Sequence, residues 1–247
     1  MDTVTLDALG PGAASAIIML LADARLPAGA HVTSNGVEAG LRRGLAPREV
    51  AAYMRARMRT VVRVEAGTAV VTRHALIGAR VVDDDEVDRG GESDRKPGVI
   101  LADIGDEWAA RTPSPALREI AEVLGAGLRR VAVTLWPQLD PVLPRRGLPR
   151  PVVLGAIAAA AGIPATDLVR LVAYDDAQTV AAAMLKLEPM DPLAATGWVL
   201  EACTAFEPCV ADLATLTDPA AIPAAGAPLI EDWAEAQSAL PRRLFRA

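Results

Sequence analysis

Apolar residues recur at helical spacing along almost the whole chain. Ala13, Ile17, Leu20, Leu21 and Ala24 follow one another at intervals that place them on one face of an α-helix, and that face is expected to be buried. Leu26-Pro27 stops this helix, because the residue before a proline is pushed out of the α region, and Gly29 supplies a turn residue without a Cβ penalty. Asn35 is expected to cap a new helix, with Glu38 three residues on as the reciprocal acceptor of a capping box. Pro47 suits the first residue of a third helix. Its apolar recurrence through Val50, Met54, Val61, Ala66 and Val70 runs to about Ile77, with Gly67 as the candidate break.

The pattern lapses at the acidic, glycine-containing segment 83–98, which reads as a mobile loop. It resumes over Leu101 to Ala110. Ser114-Pro115 then opens a helix whose Leu117, Ile120, Leu124, Leu128, Val131 and Leu135 form one stripe, and Trp136-Pro137 stops it. Prolines at 137, 141, 144, 149 and 151 exclude regular helix between. The following VVLGAIAAAAGIP is apolar on every side and predicts a central buried helix. A long helix from Thr166 or Asp167 to Leu187, one from Leu193 to Glu207 and a last amphipathic one from Leu229 to Leu240 complete the set, with 218–228 as loop. No alternating strand pattern competes, so the chain reads as all-α: a single domain over 1–247 with a basic tail at 242–247.

Composition narrows the class. The 247 residues are 52% hydrophobic but only 3% aromatic, so Ala, Val, Leu and Ile must fill the core, and part of the apolar surplus is available for a protein interface. The longest apolar runs, Ala16 to Ala22 and Pro151 to Pro164, fall short of the ~20 residues that span a bilayer. Asp2 and Asp7 with no early Lys or Arg argue against a secretory signal, so a soluble, cytoplasmic protein is expected. The formal net charge of −6 argues against a general nucleic-acid binder, although Arg55, Arg57, Arg59 and Arg63 cluster; spread around a helix, they read as a solvated or partner-facing surface. Cys203 and Cys209 match neither a redox nor a zinc pair.

No catalytic constellation emerges. The two histidines, His31 and His74, lie in no metal-ligand spacing, and phosphate-loop and nucleophile-elbow patterns do not occur. Asp175 and Asp176 point about 100° apart on a helix and cannot converge as a dyad. Asp175, Gln178, Thr179, Ala182 and Lys186 do share one narrow stripe of the long helix. This polar seam reads most simply as solvent-facing, with water-filled gaps as a variant.

LLADARLPAGAHVTSNGVE resembles the N-terminal signature of the urease accessory protein UreF family, an apolar helix running into Leu-Pro-x-Gly and then Ser-x-Gly-Leu-Glu. Leu26, Pro27, Gly29, Ser34, Gly36 and Glu38 occupy those positions, His31 lies in the same turn, and Val37 replaces the leucine. AAAMLKLEPM resembles the family segment Val-Lys-Leu-x-Pro-Leu-Gly-Gln through Lys186, Leu187 and Pro189, with Asp191-Pro192 in place of Gly-Gln. ARTPSPALREIAEVLGAGL, the apolar PVVLGAIAAAAGIP and the terminal RRLFRA follow in the family's order.

The resemblance implies a non-enzymatic helical scaffold for urease maturation. It would form a homodimer, bind UreD (UreH in some systems) and recruit the GTPase UreG, so that the complex, rather than this chain, handles nickel and GTP with magnesium for delivery to apo-urease. It further implies that Glu38 and Lys186 lie on the GTPase-facing surface. The tail, through Arg243, Leu244, Phe245 and Arg246, would dock on UreD with Phe245 in an apolar pocket; the intramolecular alternative is that Phe245 folds back onto this protein's own helices. Two other classes stay open: an all-α transcriptional regulator, and a small helical hydrolase or isomerase using His31 and the Asp175 helix.

Overall fold

A computed structural model describes residues 13–23, 25–28, 32–84, 96–241 and 244–245. In chain order the helices are α1 (Ala13–Ala22), α2 (Val37–Arg42), α3 (Val50–Arg59), α4 (Val61–Asp84), α5 (Pro97–Ala110), α6 (Pro115–Leu135), α7 (Arg150–Ala161), α8 (Ala165–Leu187), α9 (Pro192–Phe206), α10 (Val210–Ala214) and α11 (Pro228–Ala239). There is no strand among the described residues, and no helix there is long and apolar enough to cross a membrane.

The expected central helix is α7, in which every residue from Pro151 to Ala159 is buried. It packs chiefly between α4 and α6. Gly155 permits this approach: a Cβ there would overlap the Ala69 carbonyl oxygen and meet the Cβ of Thr72 at 2.6 Å. Outside this core α8 packs on α4 and α9, α3 on α9, α1 on α8, and α11 bridges α2 and α6. Glu235 fastens α11 to the start of α6 by accepting from Ser114 Oγ and the Ala116 N–H, while Ser114 Oγ caps that helix through the Leu117 N–H.

Several boundaries differ from expectation, each for a local reason. α1 ends at Ala22 rather than at Leu26, because Asp23 Oδ1 takes the Arg25 N–H at 2.9 Å and turns the chain first. Among the described residues of its predicted face, only Ile17 and Leu21 are buried, and Leu20 is 41% exposed. The third helix breaks at Thr60, whose φ of −126° and ψ of −100° leave the helical region; Gly67 lies inside α4, where Pro223 packs on it. Asp191-Pro192 starts α9: the Asp191 carboxylate accepts from the Leu193 N–H at 2.9 Å and proline occupies the first helical position. The ends of the expected loop 83–98 are helical, Asp83 and Asp84 in α4 and Pro97 and Gly98 in α5, and its middle lies outside the described residues.

Candidate functional site

The signature turn leads into α2 and has a buried polar cluster on each side. Its Ser34 is fully buried, whereas Pro27 is exposed. Asn35 has a φ of 51° and Gly36 one of 80°, so two consecutive residues adopt the left-handed region, where a side chain at 36 would be strained and pressed toward Tyr53. Gly29 and His31 lie outside the described residues.

Glu38 forms the first cluster. The expected capping box is absent: Gly36 is the N-cap residue of α2, with no side-chain cap, and the Glu38 carboxylate is spent elsewhere. It accepts from the N–H groups of Leu244 at 2.9 Å and Phe245 at 3.0 Å, from Gln237 Nε2 at 2.8 Å, and from Arg42 at 3.0 Å. Glu38 is only 2% exposed, which corrects its expected placement on an open surface. Burial pushes its carboxyl up, but the donors from Leu244, Gln237, Phe245 and Arg42 together outweigh burial and hold it below the usual carboxylate range.

Gln237 closes the seat, since its Nε2 also donates to the Phe245 carbonyl at 3.0 Å. Lys186, exposed at the end of α8, sets its ammonium 5.2 Å from the centroid of the Phe245 ring. Phe245 is 3% exposed and Leu244 61%. Within this chain Phe245 is seated by the protein's own residues, the arrangement of the fold-back alternative: a carboxylate and a glutamine satisfy the tail's backbone while Lys186 of α8 lies over its ring. Glu38, Lys186 and the tail, separate in sequence, meet in one place. Arg243 and Arg246 lie outside the described residues.

The second cluster faces the core. Arg57, expected on a solvated surface, is 5% exposed and holds Asp176 of α8 through Nη2 at 2.6 Å and Nε at 3.0 Å. It also donates to the Asn35 carbonyl at 3.2 Å, as does the Tyr53 hydroxyl, and Asn35 Nδ2 returns a bond to Asp176 Oδ1 at 3.0 Å. This network fixes the left-handed turn to α3 and α8. Asp175 pairs separately with Arg150 of α7 at 3.0 Å, so the adjacent carboxylates diverge onto different arginines and form no dyad. The seam is half-buried from Asp175 to Ala182, where Asp175 and Thr179 line a partly open cavity of about 110 Å³, and it is exposed at Lys186, which lies over Phe245.

Glu65 of α4 lines the same cavity and accepts from Trp108 Nε1 at 2.8 Å. Burial, only partly opposed by that N–H and by Arg150, raises its carboxyl to about 7. Asp175 is also raised by burial, against the pull of Arg150. Sequence reading missed both Glu65 and Trp108 as a pair, having no local signal for contacts between different helices.

With this geometry in view, the likeness to known proteins places the chain. The sequence model of the UreF family matches residues 46–203. The urease accessory protein UreF of Mycobacterium marinum (strain ATCC BAA-535 / M) is 32% identical over 212 residues, covering 83% of this chain and 89% of that protein. UreF of Mycobacterium bovis (strain BCG / Pasteur 1173P2) is 35% identical over 215 residues, and that of Mycobacterium tuberculosis (strain ATCC 25618 / H37Rv) 34%, each with the same coverage of 83% and 89%. The chain belongs to the UreF family, a family of urease accessory proteins and not of enzymes.

Proposed function

We propose that this protein is a scaffold of urease maturation that binds UreD (UreH), recruits the GTPase UreG and so supports GTP-dependent nickel insertion into apo-urease in the cytoplasm. The observation that carries the proposal is the convergence of Glu38, Lys186 and the Leu244-Phe245 segment in one seat. Three stretches that resemble family motifs, far apart in the chain, build a single seat. Exposed Leu244 and the Lys186 ammonium form its outward side, while buried Glu38 sets the path of the backbone between them. Nickel is cargo in this reading, and GTP with magnesium belongs to the partner.

A homodimer is part of the same proposal. Met19 of α1, 72% exposed, lines one shallow groove with Ile18 and with Leu171 and Tyr174 of α8, the last 38% exposed, and Leu20 of the same helix as Met19 is 41% exposed. A stable pair would bury more than about 1,000 Å². Only monomer by mass measurement at micromolar concentration would remove the dimer.

The experiment for the scaffold is co-purification of the full chain with UreD and with UreG, with and without GTP and magnesium. A ternary complex is expected, with recruitment of UreG dependent on UreD and lost when Lys186 is reversed to glutamate. Failure to retain either partner in any nucleotide state would overturn the proposal.

A further inference from the structure

A scaffold role uses neither the acidic segment after α4 nor the loop between α6 and α7. Residues 83–94 hold seven carboxylates against one arginine, Arg89, an excess equal to the chain's formal net charge of −6, so the remaining residues are together formally neutral. Five of those carboxylates, Asp85, Glu86, Asp88, Glu92 and Asp94, fall between α4 and α5. The loop is held in place at both ends. Leu143 is 1% exposed and Leu148 6%, Arg129 of α6 donates through Nε to the Leu143 carbonyl at 2.9 Å, and a Cβ at Gly125 of α6 would overlap the Leu148 carbonyl oxygen. Between these anchors Pro144, Arg145, Arg146 and Gly147 are all exposed, and Gly147 turns the chain with a φ of 82°. Among the described residues no carboxylate pairs with Arg145 or Arg146, whereas Arg129, which anchors the loop, is spent on Asp140 at 2.6 Å.

We infer that the Arg145-Arg146 tip is an internal docking site for the acidic segment of the same chain. α5 brings the two together: a Cβ at Gly98, in its first turn, would lie 3.9 Å from the Val142 carbonyl oxygen, and one at Gly105 would lie 3.7 Å from Pro149. The segment therefore re-enters the fold beside the loop. Asp94 lies four residues before Gly98, a tether of up to roughly 13 Å, which covers the roughly 10 Å that the three residues from Val142 to Arg145 can extend. The match is one of charge. The tip carries no exposed large apolar side chain for a hydrophobic partner, and two arginines are too few for a nucleic-acid backbone, which is bound by a track of cations. An acidic stretch of another protein has the right charge, but it must compete with carboxylates tethered at high effective concentration. Each exposed pair is weak and screened by salt, so docking rests on several carboxylates exchanging over two guanidinium groups and on the tether that keeps them there.

The test uses the full-length protein carrying Arg145→Lys and Arg146→Lys, which keep both charges and add amines to a chain whose only lysines are Lys96 and Lys186. A carbodiimide joins an amine to a carboxylate in direct contact, and peptide mass spectrometry locates the link. Links from positions 145 and 146 to Asp85, Glu86, Asp88, Glu92 or Asp94 are expected at low ionic strength, and they should be lost in about 0.5 M sodium chloride. Mixing isotope-labelled with unlabelled protein separates links within a chain from links between chains. No link to the segment, links formed only between chains, or links chiefly to Asp140 and other carboxylates of the folded body would overturn the inference. A second arm titrates hexaglutamate peptide into the chain with its native arginines. Its binding should strengthen about threefold or more when Asp85→Asn, Glu86→Gln, Asp88→Asn, Glu92→Gln and Asp94→Asn together remove the tethered competitor, and vanish when both arginines are reversed to glutamate. Hexaglutamate binding that is equal with and without the segment's charges would show a tip open to acidic partners and overturn internal docking. Circular dichroism establishes that each variant is folded, and should the lysine variant unfold, the peptide arm still decides. Neither arm involves UreD or UreG, so the scaffold proposal stands or falls separately.

Discussion

Glu38 and Glu65 are glutamates of the same helical body, the first buried and the second half-buried, and their surroundings drive them in opposite directions. Around Glu38, two backbone N–H groups, a glutamine and an arginine occupy both oxygens, so the charged form is favoured despite burial. Around Glu65 there is one indole N–H and an aliphatic wall, so the neutral form is favoured and its pKa rises to about 7. Desolvation raises both carboxyls; four donors outweigh it at Glu38, and at Glu65 a single indole N–H with more distant arginines does not. A carboxylate with four donors serves as a structural anchor; one with a single donor gains a proton more readily.

The largest expected effect separates the two by pH. Glu65 titrates near 4.5 when unfolded and near 7 when folded, so between those values the folded protein holds the extra proton. Its contribution to stability therefore falls as pH rises from about 4.5 to 7, by roughly 3 kcal/mol in total, and is flat above. Glu38, with its folded pKa lowered, behaves oppositely: its contribution is present above its unfolded value and is lost as pH falls through the lower folded one. Urea denaturation across pH 3 to 8 should thus show two limbs, Glu65→Gln flattening the neutral limb and Glu38→Gln the acid one. A neutral limb unchanged in Glu65→Gln would refute the assignment.

Next in size is Glu38→Ala, expected to cost roughly 2 kcal/mol, because it strips the acceptor from the Gln237 amide and from two tail N–H groups. The loss is bounded by release of the tail, which lets those groups return to water. Deleting residues 242–247 should therefore lower stability by a similar or slightly smaller amount, about 1 to 2 kcal/mol, since removing Phe245 also removes the entropy cost of ordering its segment. Combining deletion with Glu38→Ala should add little, as both act on one contact set. Strict additivity in thermal unfolding would show that Glu38 stabilises something other than the tail seat.

Why one region was readable from sequence and the other was not follows from chain separation. The α6 helix, the all-round apolar α7 and the Ser114 cap are local patterns and appear where expected, although of the α6 stripe only Ile120 and Leu128 are buried and Ala116, Ala121, Gly125 and Ala132 complete the buried face. Glu38 also carries a local signal, but the capping-box reading loses to partners about 200 residues downstream. Arg57 meets Asp176 119 residues away, and Trp108 meets Glu65 across 43, distances over which periodicity carries no information. The Asp175–Lys186 seam was visible as a line of polar residues; what it faces depends on α7 and the tail. Motif resemblance marked Glu38 and Lys186 for one partner face and Phe245 for another, so it picked out the residues but not their meeting.

Lys186 gives the smallest expected effect on stability and the sharpest separation of roles. Its ammonium lies over the Phe245 ring at 5.2 Å, on an exposed part of α8, where such a contact contributes about 0.5 to 1 kcal/mol. Lys186→Met retains much of the side chain's apolar length over the ring and should cost no more than that in urea denaturation. Lys186→Glu removes the cation–π attraction and places a negative charge against the electron-rich ring face, so it should cost slightly more without unfolding the protein. If the residue acts only by holding the tail, UreG recruitment in the presence of UreD should decline in both variants in proportion to these small losses. If its charge is itself presented to the GTPase, as proposed, Lys186→Met should abolish most recruitment at nearly unchanged stability, while Lys186→Arg, which preserves the charge, should restore it. Recruitment that follows stability across all three variants would leave Lys186 a strap for Phe245 and move the GTPase contact elsewhere on the surface.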